Sequence, residues 1–128
     1  MDPQHVDAWL TLARIQSALH QSGQAIETLE LAALEIPENA AVQSQLGTLH
    51  WSAQNYRHAV AALEKSLLLA EPSPALLDRL ATSHLALKNQ GKARAYARML
   101  AEKYPTHRAS PLVRQLQRPN KGRNTKVR

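Results

Sequence analysis

Apolar side chains recur three and four positions apart along most of the chain, with polar residues between them. That spacing gathers them on one side of a helix. No stretch shows the alternation that is typical of a half-buried strand. The pattern predicts seven helices, at residues 5–19, 24–36, 40–53, 56–70, 74–87, 90–103 and 110–117. We therefore expect an all-α protein.

Serines and prolines support several of these helix ends. Ser73 precedes Pro74, and Ser110 precedes Pro111. Each pair offers a hydroxyl N-cap followed by proline at the first helical position, where the missing N–H is not needed. Three further prolines stand where a helix must end, namely Pro37, Pro72 and Pro105.

The chain also repeats itself. The stretch AIETLELAALEIPEN begins at Ala25, and similar stretches begin at Ala59 and Ala93, 34 residues further on each time. Each unit consists of two helices joined by a short polar turn, HQSGQ, AQNYR or KNQGK, and we expect Gly23 and Gly91 to serve these turns. The predicted units are residues 6–39, 40–73 and 74–107.

A helical hairpin repeated every 34 residues resembles the tetratricopeptide repeat. The matching positions are Trp9, Leu12, Ala13, Ala25, Leu29, Ala32 and Pro37, then Leu46, Gly47, Ala59, Leu63 and Ser66, then Leu80, Ala81, Ala93, Ala97, Leu100 and Pro105. The sequence departs from the family where Gln43 replaces its tryptophan, Glu71 its proline, and Gln16, His50 and His84 its tyrosine.

This resemblance implies a right-handed α-solenoid. One such unit cannot bury its apolar face without a neighbour, so we expect the units to stack. We expect a domain over residues 1–117 that closes with a capping helix at 110–117, and a basic disordered tail at 118–128. The resemblance further implies a non-enzymatic scaffold that binds a segment of another protein in a concave groove.

A helical projection of the first helix of each unit predicts which residues line that groove. Trp51 lies off the face expected to be buried, so it either contacts a ligand or is partly covered by the next unit. The predicted groove residues are Asp7, Leu10, Arg14, Gln45, Thr48, Trp51, Asp78, Arg79, Thr82 and Leu85.

Some members of the family bind the C-terminal carboxylate of a chaperone through lysines, asparagines and an arginine. The corresponding positions here are Leu10, Arg14, Gln45, Ala75 and Arg79, of which only Arg79 matches in kind. We therefore expect no tight binding of an acidic heat-shock chaperone tail.

The first unit has no predicted helix before it. Ala8 and Ile15 occupy positions where a preceding unit would pack, so they are expected to be exposed. Either the chain is cut from a longer solenoid, or this N-terminal face is a site of self-association.

Charge is distributed unevenly over the 128 residues. Residues 1–64 contain two bases and seven acids, a balance of 2 − 7 = −5, whereas residues 65–128 contain 14 bases and three acids, 14 − 3 = +11. An alternative function is therefore an adaptor for nucleic acid or an anionic surface, although no nucleic-acid motif is present. The candidate phosphate-binding residues are Lys92, Arg94, Arg98, Arg118, Lys121, Arg123, Lys126 and Arg128.

Other chemistry is not indicated. The chain has no cysteine, and it lacks a glycine-rich phosphate loop, a Gly-x-Ser-x-Gly motif and paired carboxylates, so we expect neither an enzyme nor a cofactor. His50 and His84 stand one repeat apart, but without a third predicted ligand we expect them to bond neighbours rather than a metal. No signal peptide or membrane-spanning stretch is apparent, so we expect a cytoplasmic protein, or an envelope-associated one if a longer parent is exported or anchored.

Overall fold

The computed structural model describes residues 5–118, which form seven α-helices and contain no strand. The prediction of an all-α helical-repeat solenoid is confirmed. Every helix end lies within two residues of its predicted position. The helices are α1 (Val6–Ala18), α2 (Ser22–Glu35), α3 (Ala40–Ser52), α4 (Tyr56–Leu69), α5 (Pro74–Ala86), α6 (Gln90–Lys103) and α7 (Pro111–Gln117).

Two of the helix starts show how capping operates in this chain. At α5 the Ser73 hydroxyl accepts a hydrogen bond from the backbone N–H of Leu76 at 3.1 Å, as expected for an N-cap serine. At α7, Pro111 occupies the first turn as predicted, but the hydroxyl of Ser110 makes no capping bond. It donates instead to Asp78 of α5. Ser110 therefore joins two helices rather than capping one.

The turn inside each unit contains one residue in the left-handed region, and these residues recur every 34 positions. They are His20 with φ 61°, Gln54 with φ 64° and Lys88 with φ 63°. The expectation that Gly23 and Gly91 serve the turns is wrong, because both lie inside helices, in α2 and α6. The chain thus uses non-glycine residues in a conformation that costs them energy.

The core follows the small residues of the repeat. Ala25, Ala59 and Ala93 are all completely buried at the contact between the two helices of their units. Gly47 brings α3 so close to α4 that an added Cβ would lie 2.6 Å from the Cγ atom of Leu63. Small side chains at these places let the helix axes approach, and the leucines fill the space beside them.

The C-terminal end of the stack is covered by α7. Val113 is fully buried and Leu116 is 7% exposed, and both belong to the same apolar cluster as α5 and α6. Gln117 donates a side-chain hydrogen bond of 3.0 Å to the carbonyl oxygen of Ala97 in α6. The helix therefore packs as the next element of the solenoid.

Candidate functional site

The first helices of the three units, α1, α3 and α5, together enclose a hollow of about 350 Å³. We use "the hollow" for this space and "the groove" for the surface of the three helices around it. The residues that line the hollow are Ala13, Arg14, Ser17, Ser44, Gln45, Thr48, Leu49 and Arg79. Four of the ten predicted groove residues are therefore brought together there, namely Arg14, Gln45, Thr48 and Arg79.

The lining of the hollow combines apolar surface with polar groups and carries positive charge. Arg14 lies on α1 and Arg79 on α5. Gln45 and Thr48 lie on α3 and contribute an amide and a hydroxyl to the same space. No carboxylate is among the lining residues within the described part of the chain. Guanidinium, hydroxyl and amide groups all donate hydrogen bonds, so the hollow favours an acceptor such as a carboxylate or a backbone carbonyl.

Trp51 lies beside the hollow and contacts the next unit. Its indole Nε1 donates a hydrogen bond of 2.9 Å to the hydroxyl of Thr82, which itself donates one of 3.1 Å to the carbonyl of Arg79. The guanidinium carbon of Arg79 stands 5.4 Å from the centroid of the Trp51 ring, within cation–π range. Trp51 therefore helps to orient an arginine of the hollow.

The remaining predicted groove residues are placed in different ways. Leu10 is only 9% exposed and belongs to the core, so its assignment to the groove surface is wrong. Leu85 is half-buried against the core, and Asp7 is exposed on α1 without lining the hollow. Asp78 accepts two hydrogen bonds from Ser110. One comes from the Ser110 backbone N–H at 2.8 Å, and the other comes from the Ser110 hydroxyl at 2.9 Å. This carboxylate therefore joins α5 to α7.

The ten predicted groove residues leave out four residues that line the hollow, namely Ala13, Ser17, Ser44 and Leu49. Ser17 follows Arg14 by three positions on α1, so the helical projection could have included it. Leu49 carried no such signal, because its apolar side chain reads as core. It is half-buried and also packs against the core cluster of the first unit.

Outside the groove, the buried His84 forms a polar cluster with half-buried residues of two other helices. Its Nε2 lies 3.0 Å from the Glu64 Oε2, which also accepts a hydrogen bond of 2.9 Å from the Tyr96 hydroxyl. Burial by itself would raise the pKa of Glu64, but the hydrogen bonds from His84 and Tyr96 outweigh it and lower the pKa below its usual value. The cluster joins the second unit to the third.

His50 is the equivalent residue one repeat earlier. Its ring stacks on that of His58 at 5.0 Å, and its Nε2 stands 3.9 Å from a carboxylate oxygen of Glu30. Burial and the nearby His58 lower its pKa, while Glu30 acts in the opposite direction. His50 and His84 each face a glutamate of the preceding unit, and among residues 5–118 no group of three or more potential ligands is placed to hold a metal ion.

The four candidate phosphate-binding residues that the structure describes, Lys92, Arg94, Arg98 and Arg118, lie away from the groove. Lys92 and Arg98 are exposed on α6, where Arg94 is half-buried. Arg118 is exposed at the end of α7. Together with Arg114 it lines a separate surface depression of about 300 Å³. The other four candidates, Lys121, Arg123, Lys126 and Arg128, lie outside the described residues.

Three stacked helical hairpins with a groove formed by their first helices define a helical-repeat solenoid. Residues 1–48 and residues 40–72 match two family models, each described as tetratricopeptide repeat. The chain belongs to the tetratricopeptide repeat family. No curated protein matches the sequence.

Solved structures share the fold. A chain described as MamA MSR-1 C2 has a TM-score of 0.71 and 22% sequence identity, covering 78% of this chain and 60% of that one. YrrB, described as a TPR protein with an unusual peptide-binding site, has a TM-score of 0.70 and 18% identity, covering 76% and 50%. PcrH in complex with the chaperone binding region of PopD has a TM-score of 0.70 and 18% identity, covering 91% and 85%. The chain thus spans 60% of the length of the MamA chain and 50% of the length of YrrB.

None of the described helices combines the length and the apolar character needed to cross a membrane.

Proposed function

We propose that this protein is a non-enzymatic interaction scaffold that binds an extended or helical segment of another protein in the groove. The observation that carries the proposal is the hollow, where side chains of α1, α3 and α5 converge on a space of about 350 Å³. YrrB is described by its peptide-binding site and PcrH by its complex with a segment of PopD. Both descriptions support a segment of another protein as the ligand of this chain.

The chemistry of the groove suggests what the bound segment contains. Arg14 and Arg79 at the hollow favour an acidic side chain or a backbone carbonyl. The half-buried Trp51 and Leu85 lie further along the same surface and favour an apolar side chain. We therefore propose a segment with an apolar anchor and an acceptor a few residues away, bound by a domain of three units over residues 1–117. Of the tail predicted at residues 118–128, residues 119–128 lie outside the described part of the chain.

Selection of peptides from a random display library, followed by titration of the selected peptides, tests this proposal. The informative variant is Arg14→Ser, because Arg14 is exposed and its loss leaves the core intact. Arg57→Ser in α4 is the matched control, since Arg57 is also exposed but does not line the hollow. We expect the selected peptides to contain Asp or Glu, and Arg14→Ser to weaken them about tenfold, which corresponds to about 1.4 kcal/mol.

Trp51 provides a second measurement. Aromatic residues often dominate interfaces, so Trp51→Ala is expected to weaken binding by about 2 kcal/mol. Because Trp51 also packs against the core and bonds Thr82, this variant must be accompanied by a melting curve. Trp51→Phe keeps an aromatic ring, although a smaller one, and removes the N–H donor, so it distinguishes loss of the aromatic contact from loss of the bond to Thr82.

The alternative of an anionic ligand at the basic C-terminal end gives a different result. Arg114 and Arg118 line the surface depression at α7. An anionic ligand held there would bind less tightly as the salt concentration rises. If Lys121→Ala in the tail weakens binding while Arg14→Ser and Trp51→Ala do not, the groove is the wrong site.

A further inference from the structure

Thr82 contacts two residues of the groove without lining the hollow itself. Its hydroxyl accepts the hydrogen bond of 2.9 Å from the Trp51 indole and donates one of 3.1 Å to the carbonyl of Arg79, one turn earlier in α5. An indole N–H can only donate, and a backbone carbonyl can only accept. A hydroxyl does both and fits between them, whereas an apolar side chain of the same size would satisfy neither.

The bond to Thr82 fixes the ring on which Arg79 rests. The guanidinium carbon of Arg79 stands 5.4 Å from the centroid of the Trp51 ring, and an aromatic face attracts a cation placed over it. Among residues 5–118 no carboxylate forms an ion pair with Arg79, so its charge is not neutralised by a described neighbour. Arg79 is half-buried, whereas the other arginine of the hollow, Arg14, is exposed. Arg79 is thus held in place before a ligand arrives.

The repeat shows that this arrangement is particular to the junction between the second and third units. The positions of Trp51, Arg79 and Thr82 recur one unit earlier, 34 residues before each of them. The residues there are Ser17, Gln45 and Thr48, and all three line the hollow. Within the described part of the chain neither a hydrogen bond nor a cation–π contact joins those three, whereas both kinds of contact join the later set. The chain therefore places uncharged donors at one junction and a fixed arginine at the other.

We propose that Thr82 is a positioning residue that sets the preference of the groove for an acidic residue in the bound segment. This inference rests on the proposed function, because it concerns the same ligand. By holding the Trp51 indole, the Thr82 hydroxyl keeps the Arg79 guanidinium at the hollow. Immobilising a long side chain on binding costs affinity, and a side chain that is already ordered avoids most of that cost. Without the hydroxyl, Arg79 keeps its charge but loses its fixed place.

The mobility of the arginine side chains tests the inference without any ligand. The heteronuclear Overhauser effect of an arginine Nε, measured by NMR, reports how rigidly that side chain is held. We expect a high value for Arg79 and a low value for Arg14. Thr82→Val should lower the Arg79 value to that of Arg14, and Thr82→Ser, which keeps the hydroxyl, should not. Trp51→Phe removes the same hydrogen bond from the other side, so the test does not depend on one variant.

Binding measurements test the effect on ligand preference. The probes are the acidic peptide of highest affinity from the display selection and the same peptide with its Asp or Glu replaced by Asn or Gln. We expect Thr82→Val to weaken the acidic peptide about fivefold, as for immobilising one long side chain, and the amide peptide less than about twofold. A general defect of the fold would weaken both peptides equally. Thr82→Ser should bind like the original chain, and so should Thr106→Val, since Thr106 is exposed in the turn after α6.

A double variant shows whether Thr82 acts through Arg79. With Arg79→Gln in place, Thr82→Val should cause no further loss of affinity, because residues that act together are not additive. An Arg79 side chain as mobile as Arg14 in the original chain, an equal loss for both peptides, or a loss that persists beside Arg79→Gln would overturn the inference. Peptide binding that Arg14→Ser weakens and Thr82→Val does not would overturn it while leaving the proposed function standing. If no peptide binds, both fail.

Discussion

Replacement of Gly47 by alanine tests whether close helix approach, rather than helix propensity, decides the stability of the second unit. Gly47 lies in the middle of α3. A Cβ added there would stand 2.6 Å from Leu63 Cγ, 2.7 Å from its Cδ2 and 3.1 Å from its backbone nitrogen. Ordinary contacts between carbon atoms are about 3.5–4.0 Å. Leu63 is fully buried, so its side chain cannot move out into solvent and has to shift within the packed core.

Two opposing effects set the magnitude. Alanine is favoured over glycine inside a helix by about 1 kcal/mol. An extra methyl group in a packed core costs typically about 1–3 kcal/mol. We take the upper part of that range, about 2–3 kcal/mol, because the added Cβ would lie 2.6 Å from the branch point of Leu63 as well as 2.7 Å from one of its terminal methyl groups. We therefore expect Gly47→Ala to lower the free energy of unfolding by about 1–2 kcal/mol, and the melting temperature by roughly 3–8 °C.

Urea and thermal denaturation followed by circular dichroism measure this change. Gly23→Ala is the matched control, because Gly23 is also helical and an added Cβ would have nothing within 4 Å. Its stability should be unchanged, or should rise by up to about 1 kcal/mol. If Gly47→Ala is as stable as the original chain while Gly23→Ala behaves as expected, then α3 and α4 separate easily and our account of their packing is incorrect.

Three other predictions concern the turns, pH and ligand choice. Lys88→Gly should raise the free energy of unfolding by about 0.5–1 kcal/mol, because glycine adopts a positive φ without the steric cost; a lower urea midpoint would contradict this. Burial and the nearby His58 hold the pKa of His50 below its unfolded value of 6.5, so stability should fall as the pH drops below about 6.5, where the unfolded chain takes up the proton more readily. The melting temperatures of the original chain and of His50→Gln, compared at pH 7.5 and pH 5.5, should show a smaller loss in the variant. An acidic heat-shock chaperone tail should not bind tightly, since only Arg79 matches the carboxylate-binding positions, and a micromolar dissociation constant in a fluorescence titration would show this to be wrong.

Most of the fold was predictable because it depends on local periodicity. The 34-residue recurrence of small residues and leucines locates both helices of each unit, and proline marks several of their ends. These signals act within a few residues along the chain, where the helical geometry is fixed. The turns were less accessible, because positive φ at Gln54 or Lys88 has no signature when glycine is absent from the position.

The site was predictable only in outline. Helical projection identified Arg14 and Arg79 on one face, but not that Trp51 stacks on Arg79 and bonds Thr82, a residue 31 positions away. Nor could it show that Ser110, 32 positions further along the chain, donates hydrogen bonds to the carboxylate of Asp78. Such contacts depend on how neighbouring units are rotated against each other and on side-chain rotamers, and neither is encoded in the periodicity of a single helix.

The uneven distribution of cross-unit hydrogen bonds has a dynamic consequence. Among the described residues, the junction between the second and third units is joined by Glu64 with its two partners and by the bond from Trp51 to Thr82. The junction between the first and second units has the longer 3.9 Å approach of Glu30 to His50 and a hydrogen bond of 3.4 Å from the Gln43 side chain to the carbonyl of Pro37. In a linear array each unit is stabilised only by its neighbours. Amide protons of α1 and α2 should therefore exchange with solvent faster than those of α4 and α5, and each local opening of the first unit withdraws Arg14 from the hollow.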